Sequence, residues 1–487
     1  MKKSFVIGSG FAGLSAATNL AALGHDVTVL EKHNMPGGRA RSFEAEGFKF
    51  DMGPSWYWMP DVFERYFGLF GKRVDEYYKL VRLEPGYRVF FGKDDTVDIP
   101  AFGEKLFELF ESIEKGSSVQ LQKFLKEAGY KYEVGINDLV HRPSLKLTEF
   151  ADSRILASVF KMDLFKSMTA HLKSFFKNER IIKLLEFPVL FLGAKPSQIP
   201  ALYSLMNYAD LELGTWYPMG GMAQIPEAML SLALEKGVKF EFNAGVEAIE
   251  IENKRATSVK TAKGDFKFDN LIASADYHHV DRHLLPESYS NYSEKYWDKR
   301  VMAPSSLLFY LGVDKKIDGL EHHNLFFDKD FAQHAVEIYD SPQWPSDPLF
   351  YVCAPSKTDP SVAPEGKENL FLLMPVAPDL EDSEEIREKY FELIMERLEA
   401  LLGTNIREHI IYKRSYAHKD FKSEYNAYKG NAYGLANTLR QTAILKPSLK
   451  NKNISNLYYT GQLTVPGPGV PPSIISGEVV AKQISKL

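Results

Sequence analysis

Three glycines and one acid near the start of the chain carry its most specific chemistry. Gly8, Gly10 and Gly13 follow the spacing GxGxxG, and Glu31 stands 18 residues after the last of them. Glycines so spaced let a backbone turn sharply, approach a pyrophosphate and pack a helix closely on a sheet. The positioning elements are legible around them. Lys3-Ser4-Phe5-Val6-Ile7 is short and apolar, as a buried parallel strand should be. Leu14 to Leu23 is rich in Ala and Leu and predicts a helix whose N-terminal amides, with Phe11 and Ala12 in the turn, face phosphate. Asp26 to Leu30 predicts the next strand, ending in Glu31. A carboxylate there accepts both hydroxyl protons of an adenosine ribose and repels a 2′-phosphate. The pattern predicts an α/β fold of Rossmann type that takes FAD or NAD, not NADP.

A second loop separates these two cofactors. Met35-Pro36-Gly37-Gly38-Arg39-Ala40-Arg41 follows the acid directly, and Phe50-Asp51-Met52-Gly53-Pro54-Ser55 comes next. An Arg fork complements phosphate oxygens, and the glycines allow close approach. An NAD dehydrogenase has no need of such a loop, so FAD is expected. These stretches resemble the start of the amine oxidase and carotenoid desaturase group of flavoproteins. The resemblance implies that Gly38 and Arg39 lie along the FAD pyrophosphate and that Pro54 and Ser55 sit near the flavin ring. It also places Lys32, beside Glu31, and Val246, whose backbone would meet the adenine, among the cofactor-binding residues.

The far end of the chain returns to the same ligand. Asn456 to Gly461 reads as a strand running into a glycine, followed by a Pro-rich loop and a helix from about Ile474 to Ile484. Gly469 and Val470 in that loop would aim helix-terminal amides at the flavin pyrimidine edge. The loop resembles the C-terminal signature of bacterial carotenoid desaturases. Many members carry His-Pro-Gly where this chain has Val465-Pro466-Gly467, so no role for that histidine carries over.

Composition sets outer limits. At 487 residues the chain fits two intertwined domains. A net charge of −5 gives no preference for nucleic acid, and none is expected as a partner. Phe, Tyr and Trp make up 13% of the chain, a supply that suits an apolar tunnel or a large core. A single cysteine, Cys353, excludes intrachain disulfides and multi-thiolate metal sites and fits a reducing cytoplasm. No leader and no transmembrane helix are expected.

The FAD-binding domain reads as discontinuous, built from 1–74, 216–276 and 440–487. The inserts 75–215 and 277–439 then form an α+β substrate-binding domain. Val238 to Phe242 and Val246 to Ile251 alternate with a turn between them, predicting an antiparallel hairpin. Residues 161 to 183 carry six basic side chains against two acidic ones, interleaved with Phe160, Leu164, Phe165, Met168, Leu172, Phe175 and Phe176. Such a helix either rests its apolar face on the core or docks in a membrane interface, with segment 160–193 as the docking surface. The adjacent pairs His278-His279 and His322-His323 point different ways from a strand, and no metal site is expected. No GxSxG nucleophile elbow occurs. Glu381 to Glu385 reads as a solvated helix start.

Within the resembling group the chain looks closest to phytoene desaturases. The stretch Asp51 to Pro60 and the tail Tyr459 to Ser473 carry that match. The resemblance implies desaturation of 15-cis-phytoene towards lycopene, by hydride transfer to flavin N5. It also implies oxygen or a quinone as electron acceptor and peripheral attachment to the inner face of the cell membrane. No catalytic acid or base is assigned. Three readings stand beside it: 3,4-desaturation of a 1-hydroxycarotenoid, an amine or porphyrinogen oxidase, and a non-catalytic isoprenoid-binding escort.

Overall fold

The computed structural model describes residues 1–146, 149 and 166–486. Its first layer is a five-stranded sheet of β1 (Lys3–Ile7), β2 (Asp26–Leu30), β3 (Lys239–Glu241), β4 (Asn270–Ala273) and β5 (Leu457–Tyr459). The order is β5-β4-β1-β2-β3, and every pairing is parallel. Val6, Val27, Val29 and Ile272 are fully buried, which explains why these strands read as apolar runs. Helix α1 (Phe11–Ala22) joins β1 to β2, α2 (Gln224–Glu235) leads into β3, and α3 (Val470–Ser485) follows β5.

Two helices start earlier than the sequence pattern indicates. Gly10 caps α1 in an extended conformation, so Phe11-Ala12-Gly13 is already its first turn. Pro471 and Pro472 occupy the first turn of α3, where proline gives up no needed hydrogen bond. Glycine lets α3 lie against α1. A Cβ at Gly477 would stand 2.3 Å from Ala12 O and 2.7 Å from Ala16 N. Beside it Arg65 donates to both oxygens of buried Glu478 at 2.6 and 2.8 Å, and with Lys482 holds that carboxyl down to about 2 against the cost of burial.

The predicted hairpin does not form. Lys239–Glu241 joins β2 in parallel instead, with Thr28 opposite Lys239. Val246–Glu252 pairs antiparallel with Arg255–Thr261, which pairs with Gly264–Lys267. The reason lies in the turns. Asn253 and Lys254 both take positive φ, at 48° and 61°, the geometry of a two-residue hairpin turn. The chain between 241 and 246 is tied elsewhere: Asn243 N donates to His33 O at 2.9 Å and Ala244 N to Glu31 O at 2.8 Å.

The second layer is a seven-stranded sheet. Its order is Ile410–Tyr416, Ser305–Val313, Glu368–Val376, Phe350–Cys353, His323–Phe326, Tyr87–Gly92, Asp95–Ile99. Only the pairing of Tyr87–Gly92 with His323–Phe326 is parallel. Alternation divides its faces: Phe309, Phe326 and Leu372 pack with Phe391 and Ile394 of helix Glu384–Leu402, while Leu308, Leu325, Tyr351 and Leu373 face a cavity. That helix is capped by Ser383, whose side chain accepts from Ile386 N. Asp382 is not solvated as its acidic run implies; it is buried in a two-pronged pair with Arg387.

The basic segment from 160 is not one helix. Its first residues, with Lys161, lie outside the described residues. The rest forms two short helices, Met168–Leu172 and Glu179–Glu186, with Asn178 capping the second. Met168, Leu172 and Phe176 are buried, and Phe176 meets Phe124 at 6.2 Å. These apolar positions belong to the core and do not reach outward. No helix among the described residues is long and apolar enough to cross a membrane.

The α1–α3 contact leads to a direct test. Gly477→Ala is expected to lose about 1–3 kcal/mol through overpacking against the α1 backbone, seen as a lower midpoint of thermal unfolding. An unchanged midpoint would mean the helices separate freely.

Candidate functional site

The main cavity, about 870 Å³, opens at the carboxyl ends of the parallel strands and runs on to the inner face of the seven-stranded sheet. In parallel α/β sheets this is where ligands bind. Gly8, Gly10, Phe11 and Ala12 line it at the end of β1. Gly13 does not: a Cβ there would stand 2.0 Å from Gly8 O, so its work is packing the helix on the turn, and it is not a cavity residue.

Glu31 is buried and lines the cavity at the end of β2. Its Oε2 accepts from Ser9 N and Ser9 Oγ, both at 2.7 Å, and its Oε1 from His33 N at 2.9 Å. A carboxylate has about four acceptor positions, so capacity remains for a ribose hydroxyl. Lys32 also borders the cavity, but its Nζ donates to Ser423 O at 2.5 Å. Val246 and its neighbour Gly245 line the same end.

The second loop lies against the first. Gly37 and Gly38 take φ of +111° and +55°, and a Cβ on Gly38 would come within 3.4 Å of Gly10 Cα. Gly53 brings the next turn in still closer, since a Cβ there would stand 2.4 Å from Arg39 O. Arg39 borders the cavity without a salt bridge among the described residues, and its buried Nε has no hydrogen-bond partner. With its amide oxygen turned inward, Gln462 accepts from Arg39 Nη2 at 3.0 Å, and Tyr425 lies under the guanidinium at 5.1 Å. A desolvated guanidinium with an open donor fits an anionic ligand such as a pyrophosphate. Together with the ribose position at Glu31, these residues fit FAD.

Pro54 and Ser55 line the same cavity, as do Gly461, Gly469 and Val470 from the far end of the chain. The Gly53-Pro54-Ser55 turn is tied to the seven-stranded sheet: Tyr310 Oη donates to Met52 O at 2.7 Å and Tyr351 Oη to Ser55 Oγ at 3.1 Å. The α3 terminus differs from expectation in one respect. Pro471 and Pro472 carry no N–H, so this helix end offers Val470 N–H and its dipole rather than a row of amides. Beyond Ser55 the walls become apolar, with Trp56, Phe187, Leu190, Leu192, Leu325 and Phe327.

The sequence from Asp269 to Asp276 reads as a further strand ending in small residues near the cofactor, and Ser274, Ala275 and Asp276 line the cavity after β4 as Glu31 does after β2. Other cavity residues escaped the sequence reading. Glu424 and Tyr425 carry no such pattern; Glu424 reaches the site by pairing with Arg41 at 2.6 Å. The two His pairs behave differently from each other. His322 and His323 do not diverge: their rings lie 4.5 Å apart, and with Cys353 they place one donor atom each within 4.8 Å. Both are uncharged neighbours in the core, His322 pushed by burial to about 3 and the Cys353 thiol up to about 12.

Comparison with known proteins decides the family. Residues 11–485 match the family of flavin containing amine oxidoreductases. A carotenoid 3,4-desaturase of Haloarcula japonica is 41% identical over 98% of this chain and 97% of its own length. A zeta-carotene-forming phytoene desaturase of Myxococcus xanthus is 33% identical over 99% and 94%. A 4,4'-diapophytoene desaturase of Staphylococcus haemolyticus is 33% identical over 98% and 97%. The chain belongs to the FAD-dependent carotenoid desaturases of this family. It is therefore an FAD-dependent oxidoreductase acting on carotenoid CH–CH bonds. An oxidoreductase from Methanosarcina mazei shares the fold at TM-score 0.66 and 19% identity, each chain fully covered. Putrescine oxidase bound to putrescine does so at TM-score 0.61 and 14% identity, covering 100% and 99%.

Glu31→Ala is expected to weaken FAD by about 1.5–3 kcal/mol, the loss of a charge-assisted contact. Fluorescence titration of apoprotein with FAD measures it, alongside thermal unfolding of the apoprotein to separate the lost Ser9 contacts. Undiminished FAD affinity would remove the end of β2 from the ribose site.

Proposed function

We propose that this carotenoid desaturase acts on 15-cis-phytoene or a close relative and introduces several double bonds, towards lycopene. The observation that carries this reading is the continuity of one cavity from the nucleotide end, past Ser55, into a wall of Trp56, Phe187, Leu190, Leu192, Leu325 and Phe327. A linear hydrocarbon gains most from such a wall, at roughly 25 cal/mol per Å² of apolar surface buried. Bound FAD supplies the hydride acceptor. The chain's own residues hold the polyene in position and keep water from the allylic cation that develops, which is delocalised and asks little of acid–base groups. Repeated steps require only that one apolar substrate slide past one site.

A second reading, 3,4-desaturation of a 1-hydroxycarotenoid, is favoured by the 41% identity to the Haloarcula japonica enzyme. The amine oxidase reading has less support, because the likeness to putrescine oxidase is one of fold. Oxygen or a quinone would reoxidise the cofactor. Exposed Lys173 and Lys177 would favour anionic lipid near the inner membrane face, though Lys173 also pairs with Glu179 at 3.3 Å.

Supplying FAD-loaded protein with phytoene or a 1-hydroxycarotenoid in liposomes tests the reading. Phytoene should yield a coloured polyene; conversion of the hydroxycarotenoid alone would select the second reading. Failure of substrate to bleach the bound flavin anaerobically would point to an escort. Replacing Lys166, Lys173 and Lys177 by Glu should release the protein from anionic vesicles at low salt, at about 1 kcal/mol per basic residue. Absence of wild-type co-sedimentation would exclude lipid docking by this segment.

A further inference from the structure

We propose that Lys446 is the proton-accepting partner of the bound flavin, taking up at Nζ one proton for each hydride the flavin receives. The proposal rests on FAD as the cofactor and is independent of which carotenoid is desaturated. Lys446 is 4% exposed, and its Nζ has no hydrogen-bond partner among the described residues. Asn437 is buried to the same degree, and its Oδ1 is also without a partner among those residues. Two neighbouring orphan groups are rare in a folded interior, where buried polar atoms are almost always paired.

Their place in the fold indicates what completes them. Both side chains converge on Gly467, where a Cβ would stand 3.0 Å from Asn437 Oδ1 and 3.4 Å from Lys446 Nζ. Gly467 belongs to the loop between β5 and α3, whose Val465, Pro466 and Pro468 line the cavity, as Asn437 does. Asn437 N donates to Leu192 O at 2.9 Å, so the same residue borders the apolar chamber. Lys446 is not itself a lining residue; it stands directly behind Asn437 and Gly467, next to the point where nucleotide site and hydrocarbon wall meet.

The protonation chemistry suits that place. Burial brings Lys446 down to about 7. Among the described residues, no acid, histidine or second cation facing it from the segments at Asn437, Ala443 or Gly467 contributes to that shift. Amine and ammonium are thus both within reach near neutrality. Desaturation breaks C–H bonds on two adjacent carbons and forms one C=C bond. One hydrogen leaves with the electron pair and reduces the flavin by two electrons; the other leaves as a proton. Uptake of that proton at Nζ turns the amine into ammonium, balancing the charge the flavin gains in a medium that strongly disfavours an unpaired one.

A redox titration of FAD-loaded protein without carotenoid tests this. The wild-type midpoint potential is expected to fall with pH as two protons per electron pair between about pH 7 and 9, above the value to which burial brings the amine. Lys446→Met should take up one proton and have a lower potential. Lys446→Arg, which keeps its charge and cannot titrate, should also take up one proton, with a potential above that of the Met variant. A Met variant that keeps both the wild-type slope and potential overturns the proposal. Loss of FAD from folded Met, Gln and Arg variants alike also overturns it, because Lys446 would then be a binding group. Since no carotenoid is present, an error in the substrate reading leaves this result untouched.

Discussion

The buried carboxylate of Glu31 is the contact on which the nucleotide end depends. Its side chain takes hydrogen bonds from Ser9 N, Ser9 Oγ and His33 N, and so fixes the glycine turn against the start of the second loop. Its backbone ties the sheet together as well. Glu31 N donates to Glu241 O at 2.9 Å, and Glu31 O accepts from Ala244 N at 2.8 Å. One residue thus joins β1, β2, the strand arriving from residue 239 and the chain leaving towards Val246. A carboxylate taken out of water must be supplied with donors, or its burial is strongly destabilising. That requirement makes the geometry of the turn specific and leaves acceptor capacity open on the cavity side.

The same closeness of approach recurs along the rest of the cofactor site. Gly53 against Arg39 O and Gly477 against Ala12 O each place two backbones nearer than a Cβ allows. The seven-stranded sheet enters through longer arms, by Tyr310 on Met52 O and Tyr351 on Ser55. Because alternate residues of that sheet face opposite ways, the strand that sends Tyr351 to Ser55 also seats Val352 in the core beneath helix Glu384–Leu402. The Gly53-Pro54-Ser55 turn and the apolar wall of the cavity are therefore held by one rigid element.

What could be read from the sequence was whatever local spacing dictates. Strands Lys3–Ile7 and Asp26–Leu30, Glu31, and the loop Gly37–Arg39 all stand where the motif spacing puts them. The pairing of Val246–Glu252 was not legible, because it depends on Asn253 and Lys254 adopting positive φ and on Asn243 and Ala244 being held by His33 and Glu31. The break in the basic segment was hidden for a similar reason: Phe176 is drawn to Phe124, which lies outside any window a helical period can sample. The role of Gly13 was legible as packing but not as exclusion from the cavity, a matter of 2.0 Å against Gly8 O.

Lys446 shows the limit of pattern most sharply. In sequence it is one lysine in Ala443-Ile444-Leu445-Lys446-Pro447, with no spacing or motif to mark it. The tertiary placement of Gly467 and Asn437 buries its amine, and the lack of a hydrogen-bond partner among the described residues sets it apart. The apolar chamber and the orphan polar atoms are two consequences of one demand. An apolar wall that excludes water cannot also offer water to the polar groups packed behind it, and Lys446 Nζ and Asn437 Oδ1 are left without a partner among the described residues.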